Sequence, residues 1–354
     1  MHTNSRSDNR SSSTSAIRHT PFQIIHVLGV FMRTWSVYSL YHHLSLHGDS
    51  VIVFLFTSLV PASFIFLSLQ KPWKGRSLSN SQVVPSVVNG GIMALYFVLW
   101  GKGLKASGPS VAILTEYSGV ALGVLSAVLF GRRGQIWKKV GGLVAMFVGF
   151  YFLSMGWATR TFSPFYVIGL EPVSVMKETL GANEMLLLIA AGILSALRRV
   201  VARRVSLKNQ LKRRLHAITV ASSACFLFPL AIWELLLGGS SSDIIKLQFP
   251  TWAYLSTVAF GIVFIYYVDN LAEERLHLVF SSPKHLLVAG VCVIVMEIAY
   301  KMDFSLLGFL LCFSSLSFGI YEATSLGRMR KDHVPQHISD GMFHTEKDIS
   351  SLPS

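Results

Sequence analysis

Glu116, Asp269, Glu297 and Lys301 lie in or at the edge of long apolar runs, where a charge is costly. An ionised side chain at the centre of a membrane helix costs about 2.5–3.5 kcal/mol on insertion, so each is a candidate for a solute or ion path. Glu116, in "AILTEYSGVALG", is the most central. Two roles suit it: a carboxylate that binds a proton or cation, or a structural carboxylate hydrogen-bonded to Thr115, Ser118 or a neighbouring helix. Glu297 and Lys301 are four residues apart, which predicts an ion pair on one helical face near the membrane surface. Asp269 heads a charged cluster with Glu273, Glu274 and Arg275, directly after the apolar run "WAYLSTVAFGIVFI". That position predicts a cytosolic loop at the exit of a span, with Asp269 capping or pairing there. Arg33, inside another apolar run, is expected to snorkel toward the surface.

A second group of side chains invites metal chemistry. In "HHLSLH", His43 and His47 are one helical turn apart, with His42 and Asp49 nearby, and imidazole is a common zinc ligand. The alternative is a set of solvated loop residues. Cys225, Cys292 and Cys312 lie singly in apolar runs with no CxxC pair, and read as structural thiols. No phosphate-binding loop, GxSxG or HExxH occurs, so neither ATP hydrolysis nor hydrolase chemistry is expected and the chain does not read as an enzyme. No resident cofactor is expected either.

The elements that must position these residues follow from composition. Of 354 residues, 52% are hydrophobic and 14% charged, and mean hydropathy is +0.52. That is more apolar surface than a soluble core can hide, so the chain is expected to sit in a lipid bilayer as an all-α polytopic protein. Crossing about 30 Å of hydrocarbon takes roughly 20 apolar residues. On that scale about ten transmembrane helices are predicted, at 22–41, 51–70, 83–101, 109–130, 136–157, 184–198, 215–237, 252–270, 285–300 and 304–326. Gly119 with Gly123, and Gly141, Ala145 and Gly149, form small-residue stripes suited to close helix packing.

The net charge of +13 would suit a nucleic-acid binder in a soluble chain. Here the Lys and Arg residues fall in alternate connections, the pattern of cytosolic loops, and nucleic acid is not an expected partner. The strongest of these connections, 198–214, is expected to meet anionic head groups. Both termini are then cytosolic. The Ser- and Arg-rich first 20 residues read as a disordered tail rather than a transit peptide. Five spans fall in 21–157 and five in 184–327, joined by a lumenal connection at 158–183, with a second tail at 328–354. This division suggests two inverted five-helix repeats. "YFV" at Tyr96 and "YYV" at Tyr266 end the third span of each half, a short internal echo.

Three segments carry a resemblance. "FIYYVDNLAEERL", "ILTEYSG" and "ARRVSLKNQLKRRLHAIT" resemble parts of the extended N-terminal membrane region of the large cation diffusion facilitator zinc transporters. These are the early-secretory-pathway members and their plant metal-tolerance counterparts. The resemblance implies a Golgi or early secretory location, zinc as the transported ion, and a hetero-oligomer with another cation diffusion facilitator subunit. It also implies a separate efflux domain with an intramembrane His/Asp site, which no part of 1–354 supplies. The chain is therefore expected to act as a membrane module that supports assembly or regulation. In architecture, "SGVALGVLSAVLFGRRGQIWKKVGGLVAMFVGFYFL" is similar to the fourth and fifth spans of drug/metabolite transporters, nucleotide-sugar carriers among them. That similarity implies a stand-alone antiporter for a nucleotide sugar or phosphorylated metabolite. A non-transporting scaffold for a cation-efflux partner is a third expectation.

Overall fold

Apolar runs surrounded by lipid must bond their own backbone, and each expected span is helical in the computed structural model. The structure describes residues 13–47, 50–75, 77–130, 136–159, 182–205, 209–237, 251–276 and 282–332. In chain order the helices are α1 (Ser13–His47), α2 (Val51–Gln70), α3 (Asn80–Ser107), α4 (Pro109–Thr115), α5 (Ser118–Leu129) and α6 (Ile136–Ser154). They continue with α7 (Ala182–Val205), α8 (Asn209–Leu237), α9 (Thr251–Ser256), a π-helical segment (Thr257–Phe264), α10 (Ile265–Arg275), α11 (Pro283–Ala299) and α12 (Leu306–Asp332). No strand occurs among the described residues.

Eight of these helical runs are long and apolar enough to cross a membrane, and the chain is a multi-pass membrane protein. The expected spans at 22–41 and 285–300 fall outside the eight. α1 mixes Arg33, His26, His42 and His43 into its apolar sequence, and α11 has only 17 residues. Several ends also differ from expectation. Residues 13–20, read as disordered tail, are helical; α7 runs on from 198 to Val205, and α10 carries helix to Arg275 where a loop was expected. Arg and Glu are good helix formers, so a basic or acidic stretch continues a helix that has left the apolar layer.

Local signals explain the breaks. Lys71, at φ 38°, ends α2 by donating its N–H to the Leu67 carbonyl at 2.9 Å. Gly108, at φ 86°, ends α3, and Pro109 starts α4. The expected span 109–130 is interrupted at Glu116 and Tyr117, where the Tyr117 N–H turns back to the Leu114 carbonyl at 3.1 Å.

α3 packs against α7 and α8, α2 against α8, and α6 along α12. α1 lies against the π-helical segment, α10 and α11, while α5 touches α6 and α7. Tyr38, Phe54, Phe66, Tyr117 and Phe309 are fully buried between helices. Trp137, Phe226, Trp233, Leu236 and Ile298 face outward, as bilayer-facing side chains do.

Two glycine contacts set the closest approaches. At Gly119 of α5 and Gly192 of α7, an added Cβ would run into the other helix, so the α4–α5 turn sits directly on α7. A Cβ on Gly319 would come within 2.6 Å of the Gly142 carbonyl oxygen. Gly123 and Gly141, two of the small residues in the expected stripes, have open space around them. Gly319→Val is therefore expected to cost about 1–3 kcal/mol through overpacking, read as a lower midpoint of thermal unfolding in detergent. Gly123→Val should leave that midpoint nearly unchanged. Equal effects would show that backbone contact does not set the α6–α12 spacing.

Candidate functional site

Six charged side chains line a cavity of about 170 Å³ between α3, α7, α8, α10 and α11. α7 supplies Arg198, Arg199 and Arg203, because its extra turns carry the basic stretch along the cavity wall. The 198–214 stretch is thus not a loop on head groups in its first third: Arg198 and Arg199 line an interior space. α8 adds Lys212 and His216, and α10 adds Tyr266, Asp269, Asn270 and Glu273. Asn89 of α3 also lines the cavity, and its Oδ1 is buried without a hydrogen-bond partner in the protein. A lone buried acceptor of this kind suits a solute or a water.

The mouth and the interior have different electrostatics. At the mouth Glu273 accepts from Arg203 at 2.7 Å and from Lys212 at 2.9 Å, joining the ends of α7, α8 and α10. Arg203 is 54% exposed and Glu273 36%, so these pairs are partly screened by water. Deeper in, the Arg198 guanidinium lies 5.7 Å from the Tyr96 ring centroid, a cation–π contact. Tyr96 donates its hydroxyl to Glu116 Oε1 at 3.0 Å, and Arg33 Nη2 donates to Glu116 Oε2 at 2.5 Å. His216 and Tyr266 stack with ring centroids 3.7 Å apart and form an apolar flank.

His285 links two spaces. It lines the main cavity and also a smaller one formed by Arg33, Thr34, Glu116 and Tyr117. The Tyr117 hydroxyl and His285 Nδ1 are 2.9 Å apart, and His26 packs on the His285 ring. Asp269 and Arg199 line the main cavity and the Arg33–Glu116 pair the smaller one, with His285 in the wall of both. Asp269 acts electrostatically on both Arg199 and Arg33.

Of the expected path residues, Asp269 lines the main cavity and Glu116 the smaller one beside it. Glu116 is 4% exposed, and its partners are Arg33 and Tyr96 of other helices. Thr115 and Ser118 bond to backbone carbonyls instead. Arg33 does not snorkel. It stays at the Glu116 turn because a buried carboxylate there is a stronger partner than the distant surface.

The other two path residues are elsewhere and do not pair with each other. Glu297 is buried and accepts the Tyr38 hydroxyl at 2.7 Å. Lys301 lies beyond the end of α11 with φ 49° and is exposed, so the helix ends before the spacing can bring it to Glu297. Of the expected metal ligands, His43 is buried against the Phe54 ring, while the side chain of His47, like Asp49, lies outside the described residues. Among the described residues no group of three His, Cys, Asp or Glu gathers as a metal site. Tyr96 and Tyr266, the internal echo, both stand in this region, one under Arg198 and one in the cavity wall.

Comparison with family models and with curated sequences finds no match. Among solved structures, one described only as "Crystal structure of protein" superposes with a TM-score of 0.48 at 18% identity, over 87% of this chain and 99% of that one.

Proposed function

We propose that this chain is a carrier for an organic anion, with a phosphate-bearing solute as the favoured class. The carrying observation is the placement of Arg198 and Arg199 side by side in the cavity wall. Guanidinium is the side chain best matched to phosphate and carboxylate oxygens. Among the described residues Arg198, Arg199, Arg203 and Lys212 face Asp269 and Glu273 in the main cavity, four cations to two carboxylates. That excess attracts anions. By the loop charges, the mouth faces the cytosol.

The helix packing supports a two-half carrier of about ten spans. α1 against the α9–α10 run is matched by α7 against α3, and α1 against α11 by α7 against α5. α2 against the π-helical segment is matched by α8 against α3, and α5 against α6 by α11 against α12. The remaining strong pairs, α2 with α8 and α6 with α12, join equivalent helices of the two halves. Such pairing follows from a two-fold axis in the membrane plane, with the solute site between the halves. Rocking of one half against the other would open the site alternately to each side.

Proteoliposomes preloaded with nucleotide sugars, sugar phosphates or inorganic phosphate test the proposal. Saturable uptake of at least one labelled anion, accelerated by the same anion inside, is expected. Uptake of every anion at the rate of protein-free vesicles would overturn it, and Zn²⁺ uptake in the same vesicles would restore the metal reading.

A further inference from the structure

We propose that Asn89 reads a hydroxyl group of the solute: the anion held at Arg198 and Arg199 is a short phosphate ester whose carbon chain carries a hydroxyl, and the Asn89 amide oxygen accepts its hydrogen bond. This inference rests on the anion-carrier reading and names the second group by which the same cavity selects its solute.

The buried amide needs a partner that the protein does not give it. Asn89 stands on α3 between Val87 and Val88 on one side and Ile92 and Met93 on the other, and is 4% exposed. Its Oδ1 has no hydrogen-bond partner among the described residues. The hydroxyls that line the same cavity from α3 and α8 are engaged elsewhere. Ser86 donates to the Gln82 carbonyl at 2.8 Å, and Thr219 to the Leu215 and Ser86 carbonyls at 3.0 and 3.2 Å. Nor can α8 come closer to help, because a Cβ on Gly90 would already meet the Thr219 carbonyl oxygen at 2.8 Å. An acceptor left bare in such a place weakens the fold, so its pairing comes from what enters the cavity.

Asn270 of α10, the other buried amide of this wall, differs. It acts on the Tyr266 hydroxyl of its own helix, although neither group closes a hydrogen bond of ordinary geometry. Asn89 is therefore the wall amide with the larger unmet demand.

Spacing along α3 sets the length of the solute. Tyr96 is seven residues on from Asn89, on the same face and about 10 Å along the axis. Its ring lies under the Arg198 guanidinium at 5.7 Å and, like other helical side chains, leans toward the N-terminus, back toward Asn89. An anionic group at Arg198 and a polar group at Asn89 are then separated by a few carbon atoms. The cavity, about 170 Å³, is smaller than the roughly 300 Å³ at which pockets for drug-sized ligands begin, which also suits a short ester. Charge selects a hydroxyl over an ammonium group, since Arg198, Arg199, Arg203 and Lys212 outnumber Asp269 and Glu273 around it. A hydroxyl both donates and accepts, so it matches the amide oxygen and the amide N–H of Asn89 alike.

The probes are glycerol 3-phosphate and propyl phosphate, which have the same charge and differ only in two hydroxyls, with inorganic phosphate as the reference anion. Binding to the purified full chain is measured by calorimetry. We expect glycerol 3-phosphate to bind at least about tenfold more tightly than propyl phosphate, because the analogue leaves the Asn89 oxygen unpaired. Asn89→Leu, close in shape and without polar atoms, should bring that ratio to about one by weakening glycerol 3-phosphate while propyl phosphate binds equally or more tightly. Asn89→Ala is the second variant and should show the same ratio. Arg198→Gln should weaken both esters and keep the preference. Equal binding of the two esters to the wild-type chain, or a preference that survives in the Asn89 variants, overturns the inference and leaves the anion site intact. Binding of inorganic phosphate but of neither ester does the same. Failure of all three probes to bind the wild-type chain removes the anion site and the hydroxyl contact with it.

Discussion

Arg33→Ala is expected to lower the stability of the folded protein by about 3–5 kcal/mol, the cost of stranding a buried carboxylate. Glu116 is 4% exposed, and of its two hydrogen-bond donors Arg33 is the only charged one. Removing the guanidinium leaves the buried Glu116 carboxyl with the Tyr96 hydroxyl and no cation beside it. The double change, Arg33→Ala with Glu116→Ala, removes both charges and should recover most of that loss, leaving chiefly the cost of two small cavities. Glu116→Ala alone should fall between them, because Arg33 can turn toward Asp269 and the cavity water. Unfolding midpoints of the four proteins in one detergent complete the cycle. Additive single effects would mean that the pair is not the unit holding α1 to the α4–α5 turn. The expected outcome is a large positive coupling, with Arg33→Ala the least stable variant, Glu116→Ala next and the double variant closest to the wild type.

The pair also shows what the sequence made legible. A carboxylate in "AILTEYSGVALG" and an arginine in an apolar run stand out because such charges need a reason to be there. Their partnership does not stand out, since 83 residues separate them and no local spacing rule reaches that far. A helix occupies each expected place, and eight of them are long and apolar enough to cross a membrane, those at 22–41 and 285–300 not being among the eight. Their ends were not readable, because hydropathy marks where a helix leaves lipid rather than where it stops. This is why Arg198 and Arg199 read as the start of a basic loop, while the structure keeps them on α7 facing inward. The short span ending at 198 was the available clue. A run of about 15 residues is too brief to cross the membrane alone, so its basic continuation had to share the work. Periodicity also misled at Glu297 and Lys301, where four-residue spacing counts only while the helix lasts, and α11 ends at Ala299.

The placement of those two arginines leads to the most direct test of function. Arg198→Gln and Arg199→Gln should each weaken binding of the transported anion by about 2–5 kcal/mol, at least about thirtyfold, the usual cost of losing one partner of a desolvated charge pair. Glutamine keeps much of the stem and a polar end, so the wall stays filled while the charge is lost. Arg203 offers an internal comparison on the same helix, one turn further on. At the mouth, 54% exposed and already engaged by Glu273, it serves arrival rather than holding. Arg203→Gln should change half-saturation by no more than about twofold at physiological salt, with its effect growing as salt is lowered. The two inner positions should show the reverse, a large loss that persists at high salt, because their surroundings exclude most of the screening ions. The measurement is the half-saturation of anion uptake into proteoliposomes at two salt concentrations for the three single variants, with thermal unfolding as the check on folding. If all three arginines respond alike and lose their effect in salt, α7 presents a diffuse basic surface and the inner pair holds no solute. If the effect divides between 199 and 203, the depth at which the chain stops attracting an anion and begins to bind it is set within one turn of α7.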